Sequence, residues 1–237
     1  MKLAVFDLDH TLLPIDSGNR WSNWLLDKLS ASQDVAPLRA KTAEGARAYH
    51  AGAFDADAFA QFQMSLLAKA PRAELEAWRD EFIERVVAPA VRPEAQALIL
   101  SRRREGFEAV LATGTHSFVT RSCAKLFGIE LLAAAEPEVG PDGEFTGRCA
   151  GSHSYGEGKL RLVQTLAERL SEARAETITA VEAYSDSIND LPLLAWAAAF
   201  EPAGRAVAVN PDDALTQTAF ARGWEVVTLF KKEHADA

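Results

Sequence analysis

The chain opens MKLAVFDLDHTLLPIDSG over residues 1–18, and the run FDLDHT at 6–11 decides how the rest is read. LAVF at 3–6 is short, continuous and apolar, the pattern of a strand buried on both faces of a parallel sheet. Two aspartates, Asp7 and Asp9, then stand one residue apart where such a strand would leave the sheet. Alternate residues of an extended segment point the same way, so both carboxylates would face the space above the strand ends. Something must offset their fields.

Similar apolar runs recur: EAVLAT at 108–113, ITAVEAY at 178–184, AVAVN at 206–210 and WEVVTL at 224–229. Helical patterns lie between them. SFVTRSCAKLF ends at Gly128, GKLRLVQTLAERL runs on from Gly158, and PDDALTQTAFARG starts with Pro211 and stops with Gly223, ordinary helix start and stop signals. Alternating strands and helices predict an α/β fold, a Rossmann-like parallel sheet covered by helices on both faces. PEVGPDGEFTGR at 137–148 holds a Pro-Asp-Gly turn signal between possible strand residues and predicts a hairpin.

No strand-like run interrupts residues 15–92. Trp21, Trp24, Leu25 and Leu29 lie at helical spacing, as do Phe59, Phe62 and Leu66, and Leu75, Trp78, Phe82 and Val86. This predicts an all-helical insert with Pro14 and Pro93 near its ends and Pro71 in the first turn of its last long helix. The expected organisation is a catalytic core of residues 1–14 and 93–237 and a helical cap of residues 15–92, hanging over the carboxyl ends of the strands, where open α/β sheets bind ligands. Of the tail, only KKEHADA at 231–237 is expected to fray.

The totals narrow the function. With 237 residues, 48% of them hydrophobic, the chain can bury a real core. Its 34 acidic against 25 basic residues, a net charge of −9, argue against a nucleic-acid or anionic-membrane surface as its main business. The longest apolar stretch, LPLLAWAAAF at 191–200, falls well short of the ~18 residues of a membrane span and contains Pro192. The two cysteines, Cys123 and Cys149, have no ligand-like spacing to each other or to the five histidines, so neither a disulfide framework nor a zinc site is expected. No signal-peptide pattern opens the chain, and a cytoplasmic location is expected.

A second acidic cluster follows another strand: YSDSINDLPLL at 184–194 places Asp186, Asn189 and Asp190 where ITAVEAY gives way to a helix. Two acidic strand ends side by side make a cation site, and hard oxygen ligands suit Mg²⁺, which takes a few protein oxygens and leaves room for water and phosphate. Thr113 ends EAVLAT, and Gly114 and Thr115 lead into a helix, so a hydroxyl and backbone N–H groups could meet an anion. Lys159 follows Gly156 and Gly158 at a helix start, where it could neutralise a phosphate as a point charge.

FDLDHT, Thr113 after an apolar strand, Lys159 and SDSINDLPLL, in that order and with a helical insert after the first motif, resemble the four motifs of the haloacid dehalogenase superfamily of phosphohydrolases. The SDSxNDLPLL form and the position of the insert are most similar to the branch with a helical C1 cap that holds phosphoserine phosphatase-like and histidinol-phosphatase-like enzymes, and YHAGAFDADAF and AVNPDDALTQTAFARGW extend the resemblance over the chain. The resemblance implies that Asp7 is the nucleophile that forms an aspartyl-phosphate and that Asp9 is the acid and base. It further implies that Mg²⁺ is held by the Asp7 carboxylate, the Asp9 carbonyl and Asp186, with Asp190 behind them, and that Thr113, Gly114, Lys159 and Asn189 serve the phosphate. This chain has His10 where family members often carry glycine or serine; Asp9 already fills the acid–base role, so His10 is read as a loop residue.

Plainer readings stand beside these. Ser187 or Asn189 could cap the helix that follows, and Asp190 could favour its dipole. His50, His116, His153 and His234 are too scattered to form a site. The expected substrate is a small phosphorylated metabolite, with no metal-free carbon–halogen chemistry, because Asp9 and Asp186 would then be superfluous. A phosphomutase, or a module that binds phosphate without catalysis, would use the same crevice. Phosphoserine phosphatases usually carry a glutamate shortly after the first motif, whereas LLPIDSGNRW at 12–21 offers Asp16 and Arg20. Histidinol phosphate, an amino alcohol ester without a carboxylate, would need only acid and aromatic contacts, which Asp16 and Trp21 could supply; Trp21, Trp24 and Trp78 read equally as cap core by their spacing. Oligomeric state is not legible.

Overall fold

The computed structural model describes residues 1–50 and 55–230. Part of YHAGAFDADAF and all of KKEHADA therefore lie outside the described residues. Six strands form one parallel sheet in the order β3-β2-β1-β6-β7-β8: Leu131–Ala133 (β3), Phe107–Ala112 (β2), Lys2–Phe6 (β1), Ala180–Ser185 (β6), Gly204–Val209 (β7) and Glu225–Val227 (β8). Every strand expected from an apolar run is present. The three-residue β3 at the sheet's edge, LLA, is the addition.

Alternation along each strand builds two cores. Ala4 and Phe6 of β1 join Ala109 and Leu111 of β2, Tyr184 of β6 and Val207 and Val209 of β7 on one face, where Phe6 stacks on its register partner Tyr184 with ring centroids 4.7 Å apart. Leu3 and Val5 point the other way, with Val181, Ala183, Ala206 and Ala208. That second face is covered by α7 (Glu157–Arg174) through Val163 and Ala167, by α8 (Leu191–Ala198) through Leu193, Leu194 and Ala197, and by α9 (Asp213–Arg222) through Leu215 and Ala219. The first face is covered by α5 (Pro93–Arg104) and α6 (Ser117–Leu126), with Pro93 at the first position of α5 as its missing N–H permits.

Between β1 and α5 the described residues are helical: α1 (Ser17–Leu29), α2 (Ala36–His50), α3 (Ala56–Leu67) and α4 (Arg72–Phe82), continued by a single π-helical turn, Ile83–Val87, and a 3₁₀ turn, Ala88–Ala90. Pro71 sits one residue ahead of α4, at its N-cap, rather than inside its first turn. Trp21, Leu25, Phe62, Leu66, Leu75 and Phe82, on the helical faces expected, are buried in the same continuous apolar cluster as the first face of the sheet. Helical segment and sheet thus share one core.

The expected hairpin is present as β4 (Pro137–Val139) and β5 (Phe145–Cys149), an antiparallel pair. It is bound to α3. Gly147 lies so close that a Cβ there would stand 3.0 Å from Ala68, and the Gln61 amide donates to the Gly147 carbonyl at 2.8 Å. The Arg72 backbone N–H donates to the Glu144 carboxylate at 2.6 Å, and its guanidinium to the Gly143 carbonyl at 3.2 Å.

Candidate active site

Phe6 is level with Leu111 on one side and Tyr184 on the other, so FDLDHT, Thr113 and SDSIND emerge at one end of three adjacent strands. From β1 the chain runs to β2 and β3 on one side, and after them crosses to β6 on the other side of β1, so the strand order reverses between β1 and β6, the topological switch where such sheets open a crevice. Asp7 is still held by the sheet: its N–H donates to the Tyr184 carbonyl at 2.9 Å. The backbone then turns back, with Leu12 and Leu13 both donating to the Leu8 carbonyl at 2.9 Å. His10 takes φ +60°, the left-handed region where a side chain is strained, and Asn210 Nδ2 donates to its carbonyl at 3.0 Å.

This turn returns Thr11 over Asp7. Its hydroxyl donates to Asp7 Oδ2 at 3.0 Å and lies 3.4 Å from Asp186 Oδ1, so two buried carboxylates from different strands converge on one hydroxyl. On the other side of Asp7, the buried Lys159 ammonium donates to Asp7 Oδ1 at 2.9 Å and to Asp190 Oδ2 at 2.7 Å. Ser185 Oγ also donates to Asp190 Oδ2, at 2.7 Å. Burial pushes the Asp7 carboxyl above its usual range, and the Lys159 charge opposes that push. Burial would lower Lys159, but the carboxylates of Asp190 and Asp7 outweigh it and hold the ammonium above its usual pKa.

Asp9 has different company. Its Oδ1 accepts the Ser17 N–H at 2.8 Å, and its Oδ2 accepts the Thr115 hydroxyl at 3.0 Å. Burial, with the Asp16 carboxylate next in effect, pushes the Asp9 carboxyl up to about 8. Burial raises both carboxyls, and what separates them is their partners: Asp7 meets the Lys159 ammonium, Asp9 the Ser17 N–H and the Thr115 hydroxyl.

The remaining expected residues fall as follows. Thr113 is buried, and its hydroxyl accepts the Thr115 N–H at 3.2 Å. Gly114 passes beneath Tyr155, whose ring would stand 2.6 Å from a Cβ there. Asn189 is exposed; Ser187 caps the 3₁₀ turn Ile188–Asp190, and the Asn189 amide donates to the Ser187 hydroxyl at 3.2 Å. The neighbouring Asp190 accepts from Lys159 and Ser185, so it stands beside the Asp7 carboxylate with Lys159 between them. Asp16 is the N-cap of α1, accepting from Asn19 N at 2.7 Å, and Arg20 is half-buried one turn on. Trp21 needs correction as a substrate residue: it is 1% exposed and packed against Phe82 and Phe118, a core side chain as its helical spacing allowed.

Three contributors went unassigned in the sequence. Thr11 stood inside the opening motif four residues after Asp7, and its hydroxyl was the available signal. Thr115 had the same signal beside Thr113. Asp212 had less: it caps α9 through the Leu215 N–H at 2.7 Å, accepts the Ile188 N–H at 2.9 Å and donates its own N–H to the Asp186 carbonyl at 2.8 Å, locking the loop that carries Asp186.

A divalent cation fits this donor set. Among the described residues no three or more carboxylate, imidazole or thiol groups make a self-sufficient metal cage. Asp7 and Asp186 converge as two hard carboxylates on the Thr11 hydroxyl, which is the complement Mg²⁺ takes when water and a phosphate complete its octahedron.

Residues 4–195 match the family model of the haloacid dehalogenase-like hydrolases, and this span includes Asp7, Asp9, Thr113, Lys159, Asp186 and Asp190. The chain belongs to that family. It is 37% identical to a histidinol-phosphatase of Neisseria meningitidis, over 96% of this chain and 98% of the relative. A crystal structure of a protein of unknown function from Bordetella pertussis superposes with a TM-score of 0.84 at 36% identity, covering 97% and 99% of the two chains. A phospho-aspartyl intermediate analogue of phosphoserine phosphatase shares the fold, with a TM-score of 0.61 at 16% identity over 98% of this chain and 94% of that one. No helix among the described residues is long and apolar enough to cross a membrane.

Proposed function

We propose that this hydrolase is a Mg²⁺-dependent phosphomonoesterase that cleaves histidinol phosphate through a phosphorylated Asp7. The observation that carries the reading is the different company of Asp7 and Asp9, the first held by the Lys159 ammonium and the Thr11 hydroxyl, the second by the Ser17 N–H and the Thr115 hydroxyl with its carboxyl pushed up to about 8. In the first step an Asp7 oxygen attacks phosphorus, the bond from phosphorus to the leaving oxygen breaks, and the Asp9 proton passes to that oxygen. In the second step Asp9 takes a proton from water, the water oxygen attacks phosphorus, and the acyl-phosphate bond to Asp7 breaks to release phosphate. Thr113 and the N–H groups of its loop receive phosphoryl oxygens, and Lys159 shifts part of its charge from Asp7 to them. Asp7, Asp186 and the Asp9 carbonyl would hold Mg²⁺, which would supply charge neutralisation.

Residues 15–92 act as the cap that excludes water over this site. Near-complete coverage of the Neisseria histidinol-phosphatase at 37% identity supports the substrate, as does the acid Asp16 beside the crevice. The two free thiols suit a cytosolic enzyme. The test compares kcat/KM for histidinol phosphate and phosphoserine, with and without EDTA. The expected outcome is a preference for histidinol phosphate that EDTA abolishes, and no turnover by Asp7→Asn with an unchanged fold by circular dichroism. A preference for phosphoserine refutes the substrate, and activity retained in Asp7→Asn refutes the nucleophile.

A further inference from the structure

With Trp21 withdrawn into the core, the aromatic contact for a leaving group has to come from elsewhere on the crevice wall. Tyr155 lies four residues before Lys159, and its carbonyl accepts the Gly158 N–H at 2.8 Å, in the turn that starts α7. Its ring covers Gly114, the residue after Thr113, so closely that any side chain there would collide with it. The adjoining Ser154 hydroxyl donates to the Gly114 carbonyl at 3.1 Å and pins this turn to the phosphate loop. From the opposite side α3 brings Phe59, whose ring meets Tyr155 edge-on at 6.0 Å between centroids. His153 stacks on Tyr155 at 6.4 Å, and its Nε2 lies 3.7 Å from the carboxylate of Asp57, which is 87% exposed. Phe59 and Tyr155 are each only half-buried, unlike Trp21.

We infer that Phe59 and Tyr155 form the surface that selects the leaving group, favouring a flat or cationic alcohol, with Asp57 supplying the counter-charge. The inference deepens the proposed activity and rests on it. The chemistry follows from the pair's character. Aromatic faces attract flat rings and ammonium groups, a nearby carboxylate reinforces a cation and repels a second carboxylate, and the pair is level with the loop that would grip the phosphate. An ester held by its phosphate at Thr113 and Gly114 has to lay its organic part along the wall that Tyr155 makes. Because one ring comes from the helical segment and one from the core, the surface is complete only when the two are packed together.

The test measures kcat/KM of wild type, Phe59→Leu, Tyr155→Leu and Tyr155→Phe on three esters: histidinol phosphate, phosphoserine and glycerol phosphate. Each leucine variant is expected to raise KM for histidinol phosphate roughly five- to tenfold more than for glycerol phosphate, as loss of an aromatic contact predicts. Tyr155→Phe should restore most of the difference. Equal losses on all three esters mean that the pair only braces the fold and overturn the inference, as does an unchanged KM for histidinol phosphate. If wild type prefers another ester from a wider panel, the substrate reading fails separately. The inference then survives only if that preferred alcohol is cationic or flat-ringed and its KM rises selectively in Tyr155→Leu; a preferred alcohol that is neither overturns it.

Discussion

His116 makes acid a specific threat to this fold. It follows Thr115 at the N-cap of α6, is 3% exposed, and its Nδ1 has no hydrogen-bond partner among the described residues. Burial pushes its pKa down from 6.5 to about 4. A histidine whose folded pKa is depressed contributes stability that is present above the unfolded value and is lost as pH falls toward the folded one. Between 6.5 and about 4 the unfolded chain binds a proton that the folded chain refuses. At 1.36 kcal/mol per unit, this side chain accounts for about 2 to 3 kcal/mol of lost stability between pH 7.5 and 4.5. That is a large share of a typical 5–15 kcal/mol. Urea unfolding of wild type and His116→Asn at both pH values isolates it, because paired carboxylates contribute alike to both proteins and any fixed cost of the substitution cancels in the double difference. The variant should lose about 2 kcal/mol less than wild type over that interval. A double difference below about 0.5 kcal/mol, or a His116 ring proton that titrates near 6.5 by NMR, would refute the reasoning.

Three other substitutions probe the site and its frame. Lys159→Met leaves Asp7 and Asp190 buried without their cation; it should abolish turnover and cost about 3–5 kcal/mol by denaturant unfolding, and adding Asp190→Asn should recover part of that stability. A loss under about 1 kcal/mol would mean that water already screens the cluster. Gly18→Ala would place a Cβ 2.5 Å from Thr115 Oγ1, forcing that hydroxyl off Asp9; kcat should fall at least about tenfold while Tm barely moves, because alanine's helix propensity returns about 1 kcal/mol. Unchanged kcat would dismiss Thr115 as a support for Asp9. Trp21→Ala should lower stability by about 3–5 kcal/mol, the cost of emptying a packed aromatic site. A KM effect with stability unchanged would return Trp21 to the substrate.

Legibility followed the kind of signal each residue carries. Continuous apolar runs such as LAVF and AVAVN exist because a parallel sheet is buried on both faces, and they disclosed the strands directly. LLA at β3 has the same chemistry but only three residues, too few to stand out from its surroundings. Carboxylates were legible because an acid at the end of an apolar strand conflicts with burial. Hydroxyls carry no such conflict, so Thr11 and Thr115 passed as ordinary loop residues although each reaches an aspartate of the opening motif. Trp21 shows the converse: a large amphipathic side chain near the motif suits either core or ligand, and only packing distinguishes them. Neither Tyr155 nor Phe59 was singled out for binding, because their meeting joins positions nearly a hundred residues apart.

The hairpin that grips α3 has a consequence for exchange between relatives. Residues 15–92 are continuous in sequence and look transplantable, yet the helical segment is held from outside itself by Gly143, Glu144 and Gly147 of a turn and strand encoded far downstream. Gly147 sits at φ +79°, and a Cβ there would press on Ala68 at 3.0 Å. A graft that moves the helices alone would seat them on a foreign hairpin. Inheritance of specificity in this branch should therefore travel with two separated stretches of sequence that change together.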